Sequence, residues 1–184
     1  MKKTLIAAIA LLIAFVFTAC PKPVLTNEDN LTQKKGWELY TATSIPAFTN
    51  TDGVTSEDLT KSYFYECELD DILYFYTNKS SILNYGKESC EEEVGKDVSL
   101  GNWQFIKNEE VLEFHLPYFF DGDHFALLEG KIVVLDENTL SLRIPLKFVD
   151  DPAKSGTFVV NKRGLKGIKD DAEYQFTLTY KIAK

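Results

Sequence analysis

Side chains that could carry covalent chemistry are few in this chain of 184 residues, and His115 and His124 are its only histidines. A hydrolytic enzyme needs a nucleophile beside a base, or paired acids with shifted pKa values. The chain has no Gly-x-Ser-x-Gly motif, and His115 falls on the polar face of a predicted strand. The sequence therefore predicts a protein that is not an enzyme and that uses no cofactor.

The most unusual segment follows Leu116, where Tyr118, Phe119 and Phe120 precede the run Asp121-Gly122-Asp123-His124. Carboxylates and an imidazole at this spacing could ligate a metal, but the pattern matches no calcium loop. No metal site is predicted. The three aromatic residues are interpreted as a lid over the mouth of a cavity or as a docking site for a protein partner.

Cys20 is the most informative cysteine because of the residues before it. Lys2 and Lys3 precede an apolar run of 13 residues, Leu5–Phe17, which is shorter than the roughly 20 residues that cross a membrane. The stretch Phe17-Thr18-Ala19-Cys20 resembles a lipobox, in which the cysteine is acylated, for example with palmitate. We expect a signal peptide over residues 1–19 and a lipid on Cys20. A secreted soluble protein and a retained membrane anchor are the alternatives.

The lipid on Cys20 predicts the compartment and the partner. The protein is expected to be an outer-membrane lipoprotein of the cell envelope, on either the periplasmic or the surface face. Loss of Lys2 and Lys3 with the signal peptide changes the net charge from −8 to −10. Such an acidic protein lacks the basic surface that nucleic acid requires, and anionic head groups repel it. The covalent lipid must therefore hold it at the membrane, where we expect a monomer.

The other two cysteines, Cys67 and Cys90, form an even pair once Cys20 is assigned to lipid. In an oxidising envelope they are expected to form a disulfide. Two free buried thiols are the alternative. No Cys/His spacing typical of zinc is present.

The chain organises into a signal peptide (1–19), a flexible polar tether (20–30) and one domain (31–184). Alternating apolar residues predict two clear strands, Thr139–Val149 and Glu173–Ile182. A helical turn is predicted at Leu31–Lys35 and a short helix at Leu59–Glu66. Asp70-Asp71 is expected to cap a turn. The weaker predicted strands are Trp37–Thr43, Ile72–Tyr76, Ile82–Tyr85, Asn102–Ile106, Val111–Leu116 and Phe125–Leu135, with a short extra strand at Thr157–Val160.

Eight strands with short connections predict an all-β fold, an eight-stranded antiparallel up-and-down barrel that removes its exposed strand edges by closing on itself. A barrel of this size is filled by side chains or holds one small ligand. The predicted inward residues, which would line a ligand site, are Trp37, Trp103, Phe105, Phe114, Phe148, Tyr174, Phe176 and Tyr180.

The order of short motifs resembles the lipocalin-like lipoproteins abundant in Bacteroidetes. Cys20 precedes a short tether, and Gly36-Trp37 is similar to the Gly-x-Trp signature of lipocalins with contracted spacing. The remaining matched residues are Cys67, Asp70-Asp71, Asn78, Cys90, Gly101-Asn102-Trp103 and the last hairpin at 130–142. The resemblance implies the eight-stranded barrel with the disulfide near one rim, and it implies no activity.

Two functions follow as hypotheses. The first is a membrane-anchored, lipocalin-like module that binds a small apolar ligand. The alternative is a structural or protein-interaction lipoprotein of the envelope, a complex subunit or a hydrolase inhibitor, with a filled barrel.

Overall fold

The computed structural model describes six stretches of the chain, which together contain most of the predicted domain. They are residues 25–50, 53–87, 97–116, 126–149, 159–161 and 173–184, without the side chains of 126, 147–149 and 159–161. The described chain is mostly strand and forms a single antiparallel sheet that closes almost completely into a barrel. The prediction of an all-β barrel is confirmed.

Eleven strands and three short helices make up the described fold. The helices are α1 (Asn27–Leu31), α2 (Leu59–Ser62) and α3 (Glu66–Leu69). The first six strands are β1 (Trp37–Thr49), β2 (Thr55–Asp58), β3 (Ile72–Phe75), β4 (Ser80–Asn84), β5 (Asp97–Asn102) and β6 (Gln104–Ile106). The others are β7 (Val111–Leu116), β8 (Ala126–Leu135), β9 (Thr139–Val149), β10 (Val159–Asn161) and β11 (Glu173–Ile182).

The strand order around the barrel is β5-β4-β3-β1-β11-β9-β8-β7-β6, so sequence neighbours are spatial neighbours. Two strands lie off this path: β2 pairs with β1, and β10 pairs in parallel with β9. Strands β1 and β11 are the first and last strands in the sequence, and they lie next to each other in the sheet. They pair from Trp37↔Ile182 to Ile45↔Gln175. This pairing gives the up-and-down topology.

The other side of the barrel closes at Trp103, which alone separates β5 from β6. Before Trp103 the chain pairs with β4, and after it the chain pairs with β7. The backbone N–H of Trp103 donates to the carbonyl of Lys79 at 2.8 Å. One bent segment therefore joins the two ends of the sheet, so the path has nine strands where the sequence predicted eight.

Several predicted elements differ in position. The helical turn predicted at Leu31–Lys35 is wrong: residues 32–35 are not helical, and α1 spans Asn27–Leu31, mostly in the segment interpreted as a tether. A capping box explains the shift, because Thr26 Oγ1 accepts from Asp29 N at 3.1 Å and Asp29 Oδ2 accepts from Thr26 N at 3.0 Å. The helix predicted at Leu59–Glu66 is shorter than expected: α2 ends at Ser62, and a separate helix, α3, begins at Glu66. Strand β2 was missed because its four residues are all polar, and β5 was missed because it has only two apolar residues, Val98 and Leu100.

Antiparallel pairing places two sets of connections at opposite ends of the barrel. The closed end contains α1 with residues 32–36, the turns at 76–79, 107–110 and 136–138, and residues 181–184. The opposite end, here called the loop end, contains the hairpin at 50–54 and the points where the chain leaves β7 and β9. The two halves of the barrel interior are therefore covered by different parts of the chain.

The interior of the barrel is an apolar core that follows the predicted alternation. On β9 the side chains of Leu140, Leu142, Ile144 and Leu146 are buried while Arg143 and Pro145 are exposed. Ser141, predicted to point outward, is nevertheless buried, and its hydroxyl lies 3.1 Å from Thr179 Oγ1 on β11. The Thr179 side chain on the neighbouring strand therefore shields Ser141 from solvent on the outer face of the sheet.

Candidate functional site

The candidate site is the barrel interior, and at the closed end it is occupied by Trp37. This side chain is fully buried, and its indole N–H donates to the backbone carbonyl of Leu31 at 2.7 Å. Leu31, the last residue of α1, is also fully buried. A buried indole needs such a partner for its N–H. Trp37 and Leu31 thus pack α1 onto the closed end of the barrel.

Gly36 allows the chain to make this entry into β1. Its φ is +72°, and a Cβ atom there would lie 2.6 Å from Ile72 Cγ2. A side chain at this position would therefore collide with β3 as well as strain the backbone. The Gly36-Trp37 pair brings β1 into contact with β3 at the register Trp37↔Leu73.

Trp103 fills the next part of the interior together with three phenylalanines. Its ring makes an edge contact with Phe75 at 5.9 Å between centroids and with Phe105 at 5.5 Å, and Phe75 contacts Phe114 at 5.9 Å. The Trp103 indole N–H donates to the Tyr76 carbonyl at 3.1 Å. Edge contacts of this kind add to the stabilisation from burial, so this aromatic cluster is part of the core.

Lys79 covers the outer face of this cluster, a role that the sequence did not indicate. Its ammonium nitrogen lies 4.2 Å from the centroid of the Trp103 ring and 2.7 Å from Glu28 Oε2 on α1. A cation above an indole face is attracted to the ring. Lys79 therefore connects α1, the β3–β4 turn and the aromatic core.

A second aromatic cluster lies in the half of the barrel nearer the loop end. Phe48 is at its centre, with ring centroids 5.7 Å from Tyr63, 5.6 Å from Tyr174 and 5.6 Å from Phe176. Phe48 and Phe176 are fully buried, whereas Tyr63 and Tyr174 are half-buried. Burial raises the pKa of Tyr63 well above its usual value, with Glu68 as a smaller contributor. This cluster is where the interior approaches the loop end.

Tyr180 and two serines supply polar atoms within the interior. Burial raises the pKa of Tyr180 above its usual value. Ser44 donates to the Pro46 carbonyl at 2.7 Å, and Ser81 donates to the Gly101 carbonyl at 3.2 Å. Both serine side chains are fully buried. Because they bond to the backbone of their own or a neighbouring strand, these hydroxyls serve the barrel's own structure.

Asp70 and Asp71 hold the chain that leaves β4, which corrects the expectation that they cap a turn. Asp71 Oδ1 accepts from the Gly86 N–H at 3.0 Å, and Asp70 Oδ2 accepts from the Lys87 N–H at 2.7 Å. Burial raises the pKa of Asp71 to about 6, with Asp70 and Glu68 adding repulsion, while the hydrogen bond from Gly86 opposes the rise. The two carboxylates form a clamp on residues 86 and 87.

His115 lies on β7 beside Gly101, where the bent segment approaches that strand. A Cβ atom on Gly101 would lie 3.4 Å from His115 Nδ1. This nitrogen is buried and has no hydrogen-bond partner among the described residues. No nucleophile or carboxylate among the described residues lies in hydrogen-bond contact with it. The described geometry thus gives His115 no partner for acid–base chemistry.

The structure brings seven of the eight predicted interior residues into the barrel. Trp37, Trp103, Phe114, Phe176 and Tyr180 are buried, and Phe105 and Tyr174 are half-buried. Cys67 lies on α3 and is half-buried. The other predictions fall on residues or side chains outside the described part of the chain: Cys20, Cys90, Tyr118, Phe119, Phe120 and the Phe148 side chain.

The described residues contain no group of three or more His, Cys, Asp or Glu side chains placed to hold a metal ion. None of their helices is long and apolar enough to cross a membrane.

Comparison with protein-family models, with curated proteins and with solved structures gives no match to this chain.

Proposed function

We propose that this protein is a membrane-anchored, non-enzymatic envelope lipoprotein, acylated on Cys20, whose filled barrel acts as a structural or protein-interaction module. It is proposed to be of the lipocalin-like type that its motifs resemble. The observation that carries the proposal is the interior. The seven predicted interior rings that are described are buried or half-buried, and five of them make edge contacts: Trp103 with Phe105 and Phe75, Phe114 with Phe75, and Tyr174 and Phe176 with Phe48.

Packing of this kind favours a scaffold over a carrier. A lipocalin-type ligand site of drug-sized volume, about 300 Å³ or more, needs inward positions that are not occupied by side chains. At Gly130, a small residue of the sheet, a larger neighbour occupies the adjacent space. A Cβ atom on Gly130 would lie 3.1 Å from Leu142 Cβ.

A small apolar ligand is the second candidate, and the Phe48 cluster supports it. Tyr63 and Tyr174 are only half-buried there. A ligand would contact these two side chains at the edge of the cluster. The closed half of the barrel, with Trp37 and Trp103 in hydrogen-bonded core positions, would not take part.

The anchor is tested by fractionation of cells that express the wild type or the Cys20→Ser variant. The wild type should be found with membranes and should carry a lipid mass on its N-terminal peptide. The variant should lose that mass and be released to the soluble fraction. Membrane retention of the variant would contradict the assignment of Cys20.

The choice between scaffold and carrier is tested by native mass spectrometry of protein purified from its own envelope. The scaffold proposal expects the mass of the acylated chain, alone or with a protein partner. A retained small molecule, lost in a Tyr63→Ala variant, would favour the second candidate instead. Tyr40→Ala is the matched control, since Tyr40 is 63% exposed on the outer wall.

A partner surface is sought by chemical cross-linking in intact membranes. Tyr65 is 67% exposed and lies between α2 and α3. A partner that docks on this side should cross-link less to Tyr65→Ala than to the wild type, while Tyr40→Ala leaves the yield unchanged. Equal cross-linking yields in all three proteins would show that the partner does not dock at Tyr65.

A further inference from the structure

We infer that the barrel stands on the bilayer with its closed end toward the lipid and its loop end toward the aqueous phase. The inference rests on the proposed acylation of Cys20 and adds an orientation to it. Three features carry it: the attachment of α1 to the closed end, the length of chain between Cys20 and α1, and the balanced side-chain charge of the closed end.

The helix α1 is attached firmly to the closed end. Its last residue, Leu31, is fully buried and accepts the Trp37 indole hydrogen bond at 2.7 Å. Glu28 pairs with Lys79 at 2.7 Å, and Asn27 donates to Glu109 Oε2 at 3.1 Å. These contacts reach the turns at 76–79 and 107–110. The start of the folded domain therefore has a fixed position at this end.

The chain between the lipid and α1 is short. Six residue steps separate Cys20 from Thr26, the N-cap of α1. A fully extended chain spans at most about 3.6 Å per residue, so this segment reaches at most about 22 Å. The closed end must lie within that distance of the lipid attachment point.

The barrel is longer than this reach. Strand β1 has 13 residues, which corresponds to about 43 Å along the strand at roughly 3.3 Å per residue. With a strand tilt of about 35–45°, the barrel wall rises roughly 30–35 Å along its axis. If the loop end faced the lipid, α1 would lie farther from the bilayer than the segment before it can extend.

The distribution of side-chain charge agrees with this orientation. The closed end, as defined above, carries equal numbers of acidic and basic side chains. They are Glu28, Asp29, Glu109, Glu110, Asp136 and Glu137 against Lys34, Lys35, Lys79, Lys107, Lys181 and Lys184. The side-chain charge of the closed end is therefore balanced, and anionic head groups do not repel it.

The orientation also bears on how a partner or ligand arrives. In this orientation the cluster around Phe48 lies in the half of the barrel away from the bilayer. A ligand would therefore reach it from the aqueous phase and not by lateral movement of a lipid out of the bilayer. A protein partner of the loop end would accordingly be a soluble protein or the soluble domain of another membrane protein.

Energy transfer on vesicles tests the orientation with the full acylated protein. Vesicles of phosphatidylethanolamine and phosphatidylglycerol carry an acceptor dye on their head groups. A donor dye is attached to a Lys35→Cys variant at the closed end or to a Val54→Cys variant in the 50–54 hairpin. Both positions are exposed, and unsubstituted protein treated with the dye measures labelling of the native cysteines.

The Lys35→Cys donor should lose most of its emission to the membrane acceptor, and the Val54→Cys donor should keep most of its emission. Equal losses, or a larger loss at position 54, would overturn the inference. A flexible 12-residue Gly/Ser insertion after Pro23 should reduce the difference between the two positions. An unchanged difference would show that reach does not set the orientation.

Flotation of the same vesicles separates failure of this inference from failure of the proposed anchor. Wild-type protein should float with the vesicles and the Cys20→Ser variant should not. If the wild type does not float, the anchor is wrong and the orientation falls with it. If it floats and the position 54 donor is the one quenched, the anchor stands and the orientation is wrong.

Discussion

The indole N–H of Trp37 lies 2.7 Å from the carbonyl oxygen of Leu31, so the first strand of the barrel is hydrogen-bonded to the helix that precedes it. Both residues are fully buried. The bond satisfies one of the carbonyls that the C-terminus of a short helix leaves without a helical partner. It also fixes the position of α1, from which the inferred orientation of the barrel follows.

Replacement of Trp37 by Phe should test this bond. The ring remains apolar, but the Leu31 carbonyl loses its partner in a buried position and the smaller ring leaves a void. We expect a loss of about 2–4 kcal/mol in the free energy of unfolding, measured by urea denaturation. Tyr40→Phe, at a position that is 63% exposed, is the control and should change stability by less than about 0.5 kcal/mol. A Trp37→Phe value near that of the control would contradict the structural role of the bond.

Two glycines with positive φ offer a matched pair. Gly36 (φ +72°) has Ile72 Cγ2 2.6 Å from an added Cβ, whereas Gly53 (φ +85°) has nothing within 4 Å. Gly53→Ala should cost about 1–2 kcal/mol, from backbone strain alone. Gly36→Ala should cost about 1–3 kcal/mol more, because the methyl group must displace β3. Thermal or urea unfolding measures the stability of both variants. Equal losses of stability would mean that β3 accommodates the added methyl group without destabilising the fold.

The clamp residue Asp71 should make stability depend on pH. Its pKa is raised from 3.8 to about 6 in the folded protein, so the folded state binds a proton more readily than the unfolded state. This group's contribution to stability is therefore fully present below pH 3.8 and is lost as the pH rises through about 6. Asp71→Asn keeps an oxygen acceptor for Gly86 and removes the charge.

The Asp71→Asn variant should accordingly gain stability relative to the wild type as the pH rises from 4 to 7. Urea unfolding at several pH values measures the difference, and NMR titration of the Asp71 carboxyl gives its pKa. A difference that stays constant over this range, together with a pKa near 3.8, would refute the buried environment assigned to Asp71.

The predicted Cys67–Cys90 disulfide stays a prediction, because Cys90 lies outside the described residues. The aspartate clamp supports it: Asp70, three residues after Cys67, binds the N–H of Lys87, three residues before Cys90. Non-reducing peptide mapping should find the two cysteines in one linked peptide pair. Replacement of both by Ser should cost about 2–4 kcal/mol by urea unfolding. Rapid alkylation of both thiols in the native, unreduced protein would show that they are free.

Some features of this protein are determined by local sequence and could be predicted without the tertiary structure. The alternation on β9 and β11 is of this kind, because period-two burial follows from the geometry of a strand with one face on a core. The hairpins β6–β7 and β8–β9 also follow from local signals. So does the all-β barrel, since many strands with short connections have few other ways to cover their edges.

Other features were decided only by tertiary structure. Strand β5 has only two apolar residues, Val98 and Leu100, and it forms a strand because it pairs with β4. Lys79 has the appearance of an ordinary turn residue, and only folding brings it to Trp103 and Glu28. Whether the inward rings line a cavity or fill it depends on how side chains from different strands interdigitate. That outcome is set by three-dimensional packing between residues far apart in sequence, which no local pattern encodes.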